Sequence, residues 1–302
     1  MLRPVNVTLE RMLRICVIGG SRYFGKRLIE RLLTSGHRVT VVNRGSSAPP
    51  AGASHVVADR DDEQALRAAL GSRTFDVVVD QVCYTPRQAD IARRVLGPRT
   101  RRYVMTSTVE VYDSEDSAAP VREEAVDART VAVDLDAVLP YGEGKRQAEA
   151  VFAQDPALSF TAVRVAHVLG GADDFTGRLT HYADRIREGR PIAVPTVNHP
   201  ATYVYVEEIA DFLAWAAGAD FTGPVNAASH GPLTTAEICA PLEARLGRRA
   251  VFREVESGEV SPFSFRRGYA MDNARATALG HSFRHTSDWL ERAVGETLGG
   301  RA

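Results

Sequence analysis

An apolar run at residues 14–18 ends in Gly19-Gly20-Ser21-Arg22-Tyr23-Phe24-Gly25 and passes at once into a stretch with apolar residues at helical spacing. No other feature constrains the fold so strongly. A buried strand that turns tightly on glycines into a helix is the opening of a βαβ unit. It also has a chemical consequence: backbone N–H groups and the positive end of the helix dipole face one point, where a phosphate anion is stabilised. Glycines in a turn are weak evidence alone, so the meaning of this one depends on the segments C-terminal to it.

Those segments repeat the pattern. The sequence predicts strands at 14–18, 38–43, 54–58, 76–80, 103–107 and 159–164, with helices at 26–35, 62–70, 86–96 and 141–154 between them. Near-continuous apolar strands separated by amphipathic helices specify a parallel sheet covered on both faces. Beyond residue 164 the pattern loosens into a helix at 177–188, a strand at 203–206, a helix at 208–217, and a strand, helix and strand at 225–228, 235–246 and 251–255. The expected fold is α/β: a Rossmann-type doubly wound parallel sheet with a smaller C-terminal α/β part that faces substrate. The expected organisation is an N-terminal extension at 1–12, a nucleotide-binding domain at 13–168 to which parts of 202–228 return, and a substrate-binding part at 169–201 and 229–302.

The 37 Lys and Arg against 38 Asp and Glu leave no basic excess for a polyanion, which argues against a nucleic-acid partner. Cys16, Cys83 and Cys239 lie far apart and fit no metal or redox spacing, so they read as core thiols in a reducing compartment and no metal is expected. No run approaches the ~18 apolar residues of a membrane span, and residues 1–12 lack the apolar centre of a signal peptide. The expected setting is cytoplasmic.

The second predicted strand ends in Asn43-Arg44 where an acidic residue would accept the adenosine ribose hydroxyls. A neutral amide and a fixed cation there favour NADP(H), with NAD(H) as the other cofactor; Arg44 and Arg22 are the candidate partners of the 2′-phosphate. Tyr141 and Lys145, four residues apart at the start of a predicted helix, share one face. An ammonium beside a phenol favours phenolate and brings it into range for proton exchange with a carbonyl or carbinol. Thr106-Ser107-Thr108 ends the fifth strand at the ligand-binding edge of the sheet, and Thr108 is the hydroxyl expected to meet the substrate oxygen.

Together GGSRYFG, VVNRG, VADRDD, FDVVVDQVCYTPRQ, RYVMTSTVEVY, YGEGKRQAE, TGRLTHYADRIREGRPIAVP, VEEIADFLAW and MDNARATALG resemble the extended short-chain dehydrogenase/reductase superfamily. Within it the chain is similar to the NAD(P)-dependent epimerase/dehydratase branch, in the subgroup with a GGTRFxG-like turn. That resemblance implies Tyr141 as general acid/base, Lys145 as the residue that lowers its pKa and holds the nicotinamide ribose, and Thr108 as the group that polarises substrate. It implies a cofactor set of Gly19, Ser21, Arg22, Tyr23, Phe24, Gly25, Asn43, Arg44, Asp59, Arg60, Gln81, Val82, Thr106 and Val168, together with Tyr141 and Lys145. It also implies a homodimer.

Departures from the family pattern bear on substrate. His167 stands where nucleotide-sugar enzymes of the family commonly have Asn, and Ala201 where they have a diphosphate-clamping Arg, which argues against a standard nucleotide sugar. Val109 replaces the acid of the dehydratases, which argues against elimination of water. Glu110, His167 and Arg178 are the candidate substrate contacts. The leading expectation is a ketone/alcohol oxidoreductase acting on a small molecule by hydride transfer. An epimerase with a retained cofactor comes next, and a non-catalytic dinucleotide- or RNA-binding protein last.

Overall fold

The computed structural model describes residues 12–112 and 120–300. Most of the predicted 1–12 extension therefore lies outside the described residues. The chain runs β1 (Arg14–Ile18), α1 (Tyr23–Thr34), β2 (Arg38–Asn43), β3 (Ser54–Val57), α2 (Glu63–Leu70), β4 (Phe75–Asp80), α3 (Pro86–Leu96), β5 (Thr100–Thr108), α4 (Tyr141–Ala153) and β6 (Phe160–Val165). It continues through β7 (His167–Leu169), α5 (Arg178–Glu188), β8 (Pro191–Pro195), β9 (Tyr203–Tyr205), α6 (Val206–Gly218), β10 (Gly223–Ala227), α7 (Thr235–Leu246), β11 (Val251–Val255), α8 (Ala274–Ala278) and α9 (Leu290–Gly299).

Seven strands form one parallel sheet in the order β10-β6-β5-β4-β1-β2-β3. The order reverses between β1 and β4, which opens a crevice at the carboxyl ends of those strands. The strands are apolar on both sides because both sides are covered. Leu28, Ile29 and Leu32 of α1 pack with Ile209, Phe212 and Leu213 of α6 on one face, while Leu66 of α2, Val95 of α3 and Phe152 of α4 fill the other. Phe152 stacks 4.4 Å from Tyr103 and 5.1 Å from Phe160, which clamps α4 across β5 and β6. Truncating such a side chain to Ala costs about 3–5 kcal/mol.

Beside the sheet, Leu179, Tyr182, Ile186, Tyr203, Ile238, Leu242, Phe263 and Trp289 build a separate cluster. Two-stranded pairs β7–β9 and β8–β11 frame it. This part is poorly marked in the sequence. β7 has three residues and β8 is bounded by prolines, so neither carries a readable period. Phe263 and Phe265 in the Ser/Gly/Phe-rich stretch are inward-facing, and Phe265 pairs with His199 in an isolated bridge. The helix after the glycine turn begins at Tyr23, earlier than the expected residue 26, with Tyr23 held at φ 53. Its hydroxyl donates to the Gly170 carbonyl at 2.7 Å, and that long-range tie keeps the unusual backbone in place. Among the described residues no helix is long and apolar enough to cross a membrane, and no group of three or more His, Cys, Asp or Glu residues could hold a metal ion.

Candidate active site

The crevice at the sheet's reversal is a cleft of about 900 Å³ that runs from Ser46 and Asp61 at one end to His167 and Arg178 at the other. Its floor is the glycine turn. A Cβ placed on Gly25 would lie 2.6 Å from the Gly20 Cα, so α1 can sit this close to the turn only with glycine there. That approach leaves the first N–H groups of α1 facing the cleft, where an anion is favoured.

At the β2 end, Asn43 is fully engaged. Its amide donates to Ser21 Oγ at 2.7 Å and Ser47 O at 3.0 Å, and its carbonyl oxygen accepts from the Gly45 N–H at 2.7 Å. Asn43 and Ser21 therefore brace the loop. Arg22, Arg44 and Asp59 line the cleft with exposed side chains. Arg60 does not present its guanidinium in the same way: it binds both oxygens of Asp80 at 2.7 and 2.8 Å and the Gln88 carbonyl at 3.0 Å, while Tyr103 donates to Asp80 at 2.6 Å. The Tyr23 hydroxyl is likewise committed, to Gly170, although Tyr23 and Phe24 both border the cleft.

In the middle of the cleft, Gln81 Nε2 donates to Thr106 Oγ1 at 2.9 Å, yet Gln81 Oε1 is buried with no hydrogen-bond partner among the described residues. A buried acceptor left open beside the glycine turn fits a ligand that brings its own donor. Val82 and Val168 supply apolar walls on either side.

Helix α4 carries Tyr141 and Lys145 to the ends of β4 and β5. A Cβ on Gly142 would lie 2.3 Å from the Glu110 carbonyl oxygen, and one on Gly144 would lie 2.7 Å from the Tyr84 carbonyl oxygen. Two glycines near a helix start sacrifice helix propensity, and here they let its first turn press against two other chain segments. The Tyr141 side chain and Thr108 border the cleft together, and Thr108 Oγ1 accepts from the Glu110 N–H at 3.2 Å. Tyr141 remains 52% exposed, open to the cleft.

Lys145 is 1% exposed, donates to the Thr106 carbonyl at 2.8 Å and places its ammonium 4.7 Å from the centre of the Tyr84 ring. Burial pulls its pKa down to about 8, with Asp80 and Cys83 opposing that fall. The expected lowering of the Tyr141 pKa is not what this arrangement gives. Although the residue is half exposed overall, desolvation of its phenol raises the pKa, with Thr108 acting the other way. The reason is geometric: the ammonium is turned to Thr106 and the Tyr84 face. Tyr84, whose ring lies 6.3 Å from that of Tyr141, was invisible as a site residue in the sequence. Only its place just after β4 could have pointed to it.

Behind these groups Arg164 and Glu149 form a fully buried ion pair at 2.7 Å. Ser107 donates to Glu149, and Arg164 holds the carbonyls of Glu123 and Val126 at 2.8 and 2.9 Å. Ser107 is therefore part of the scaffold that fixes α4 to β5 and β6. At the far end of the cleft Glu110 accepts from Tyr269 at 2.9 Å, and Arg267 reaches it at 3.4 Å. His167 stacks on Phe265 at 4.9 Å. Burial first, then the Arg178 charge, depresses its pKa to about 3, so the ring is neutral. Ala201 is buried and Val109 lies in the core, so neither position offers a charged group to the cleft.

A model of the NAD dependent epimerase/dehydratase family matches residues 15–228. A curated relative, the chloroplast stem-loop binding protein of 41 kDa b of Arabidopsis thaliana, is 28% identical over 200 residues, 60% of this chain. The match spans about half of that relative's length, 49%. Among solved structures, UDP-glucose 4-epimerase of Thermotoga maritima with UDP-glucose superposes with a TM-score of 0.74 at 19% identity, over 96% of this chain and 100% of that one. The dTDP-glucose 4,6-dehydratase of Bacillus anthracis in complex with NAD gives 0.75 at 15% identity, over 96% and 97%. At these identities the likeness is one of fold.

Proposed function

Because the chain belongs to the NAD dependent epimerase/dehydratase family, enzymes of the short-chain dehydrogenase/reductase type, we propose that it is an oxidoreductase that interconverts a ketone and an alcohol on a small molecule other than a standard nucleotide sugar. The observation that carries this reading is the convergence of Tyr141, Thr108 and Lys145 on the middle of the cleft, beside the glycine turn. Gly19, Gly20, Gly25 and the start of α1 would hold the dinucleotide's phosphates, Asp59 its adenine end, and Gln81, Val82, Val168 and Lys145 its nicotinamide riboside. Arg44 and Arg22, exposed at the adenosine end, support NADP(H) over NAD(H). When bound, the nicotinamide supplies or accepts the hydride.

The protein's own part is proton handling and orientation. Tyr141 gives its proton to the carbonyl oxygen on reduction and takes it back on oxidation, and its raised pKa keeps it protonated before substrate arrives. Thr108, beside that phenol in the cleft lining, offers a second contact to the same oxygen. Lys145 holds a positive charge under the site without an ion pair among the described residues, and its role in this reading is to hold the nicotinamide ribose, since an ammonium turned to the Thr106 carbonyl does not ease the departure of the Tyr141 proton. The cytoplasm is the proposed setting, consistent with three free buried cysteines.

The test is oxidation of NADPH by a panel of small ketones. Wild type should consume NADPH with at least one, and Tyr141→Phe should consume it about 10²–10⁴-fold more slowly. Turnover of a chiral carbinol with no added cofactor and no net redox change would favour an epimerase instead, a reading supported by the family and by the fold's likeness to UDP-glucose 4-epimerase. The chloroplast relative is named for stem-loop binding; salt-dependent capture of an RNA stem-loop, unaffected by Tyr141→Phe, would select a nucleic-acid-binding reading.

A further inference from the structure

Arg178 opens α5 at the far end of the cleft and lines it, with its guanidinium 5.9 Å from the centre of the Phe263 ring. Among the described residues it has no ion pair and no side-chain hydrogen bond. Arg27, Arg31, Arg60 and Arg164 all sit against one or two carboxylates. A partly buried guanidinium left unpaired in a cleft is a waiting anion site, since Arg matches carboxylate geometry with two parallel N–H donors.

Two further groups share its surroundings. His167 Nε2 and the Tyr203 hydroxyl are buried with no partner among the described residues, and the Arg178 charge acts on both. It also acts on Tyr141. The cation therefore lies within electrostatic reach of the proposed proton donor, in a region whose walls include the rings of Tyr84, Tyr141, His167 and Phe175. Among the described residues the neutral His167 leaves Arg178 as the one cation there without a fixed partner, because Lys145 is turned to Thr106, Arg60 to Asp80 and Arg267 to Glu110. Glu110 at the same end is already engaged, paired with Arg267 at 3.4 Å and accepting from Tyr269 at 2.9 Å. A single unpaired cation suits a singly charged ligand better than a pyrophosphate.

We propose that the substrate is a small oxo or hydroxy acid whose carboxylate is bound by Arg178 while its carbonyl or carbinol oxygen meets Tyr141 and Thr108. The contact of the carbonyl or carbinol oxygen with Tyr141 and Thr108 rests on the hydride-transfer reading. The carboxylate site stands on Arg178 and its unpartnered neighbours.

The two halves are separable with benzoate as the probe, titrated calorimetrically into the NADPH-loaded protein, with benzamide as its neutral isostere and UDP as the diphosphate comparison. Benzoate should bind at least tenfold more tightly than benzamide or UDP. Arg178→Met should remove that preference, Arg178→Lys should restore part of it, and Tyr141→Phe should leave it unchanged. Equal binding of benzoate and benzamide, tighter binding of UDP, or a preference that survives Arg178→Met overturns the proposal. Benzoate selectivity without NADPH consumption by any oxo acid would leave the carboxylate site standing and remove the hydride-transfer reading.

Discussion

Replacing Lys145 by Met should make the cofactor-free protein more stable while removing the ammonium proposed to hold the nicotinamide ribose. The side chain is 1% exposed, and its pKa falls from the ordinary 10.5 to about 8. At 1.36 kcal/mol per tenfold change in proton affinity, keeping it charged at pH 7 costs the fold about 3 kcal/mol. Met is unbranched, one atom shorter and carries no charge. Against the gain stands the Thr106 carbonyl, which loses its 2.8 Å donor at a cost of about 1–2 kcal/mol. The net expectation is about 1–2 kcal/mol of added stability at pH 7, a few degrees in Tm. The sign with pH comes from proton binding: the unfolded chain keeps its lysine proton up to about 10.5 and the folded chain releases it near 8. Wild type therefore gains stability as pH rises between those values, and the advantage of the variant shrinks. Urea unfolding of both proteins at pH 7 and pH 10 measures this. A variant less stable than wild type at pH 7, or a difference that does not move with pH, would rule out a charge held at a cost to the fold.

Arg44→Ala should weaken NADPH binding about tenfold or more and leave NADH almost unchanged, read by fluorescence titration; equal losses for both would remove the case for a 2′-phosphate contact. Gly25→Ala should abolish dinucleotide binding, since its Cβ would fall 2.6 Å from the Gly20 Cα, and should cost on the order of 1–3 kcal/mol in thermal unfolding. Glu149→Gln, which leaves the Arg164 charge buried and unpaired, should destabilise by about 3–5 kcal/mol; a change under 1 kcal/mol would mean the pair does not anchor α4.

The nucleotide half of the molecule was legible because its signals are local and periodic. Strands buried on both faces read as apolar runs, and β1, β2 and β4 fall within a residue of expectation. The C-terminal part was only partly legible. β7 exists only because β9 lies beside it, and the phenylalanines after residue 257 reach the core through long-range packing. Within the site, residue type predicted neighbourhood better than role. Arg60 reads as a cofactor contact until Asp80, 20 residues away in sequence, is seen to take its guanidinium, and Asn43 reads as another until its loop is seen to engage its amide. The contact of Lys145 with Tyr84 depends on the path of the chain after β4, which no spacing rule encodes.

The proposed chemistry depends above all on the cleft receiving a nicotinamide dinucleotide with its reactive ring beside Tyr141. Calorimetric titration of NADPH and NADH into the purified chain decides whether it does. One NADPH per chain should bind saturably and more tightly than NADH, and Tyr141→Phe should leave that binding intact. No heat of binding from either nucleotide would contradict a dinucleotide cleft.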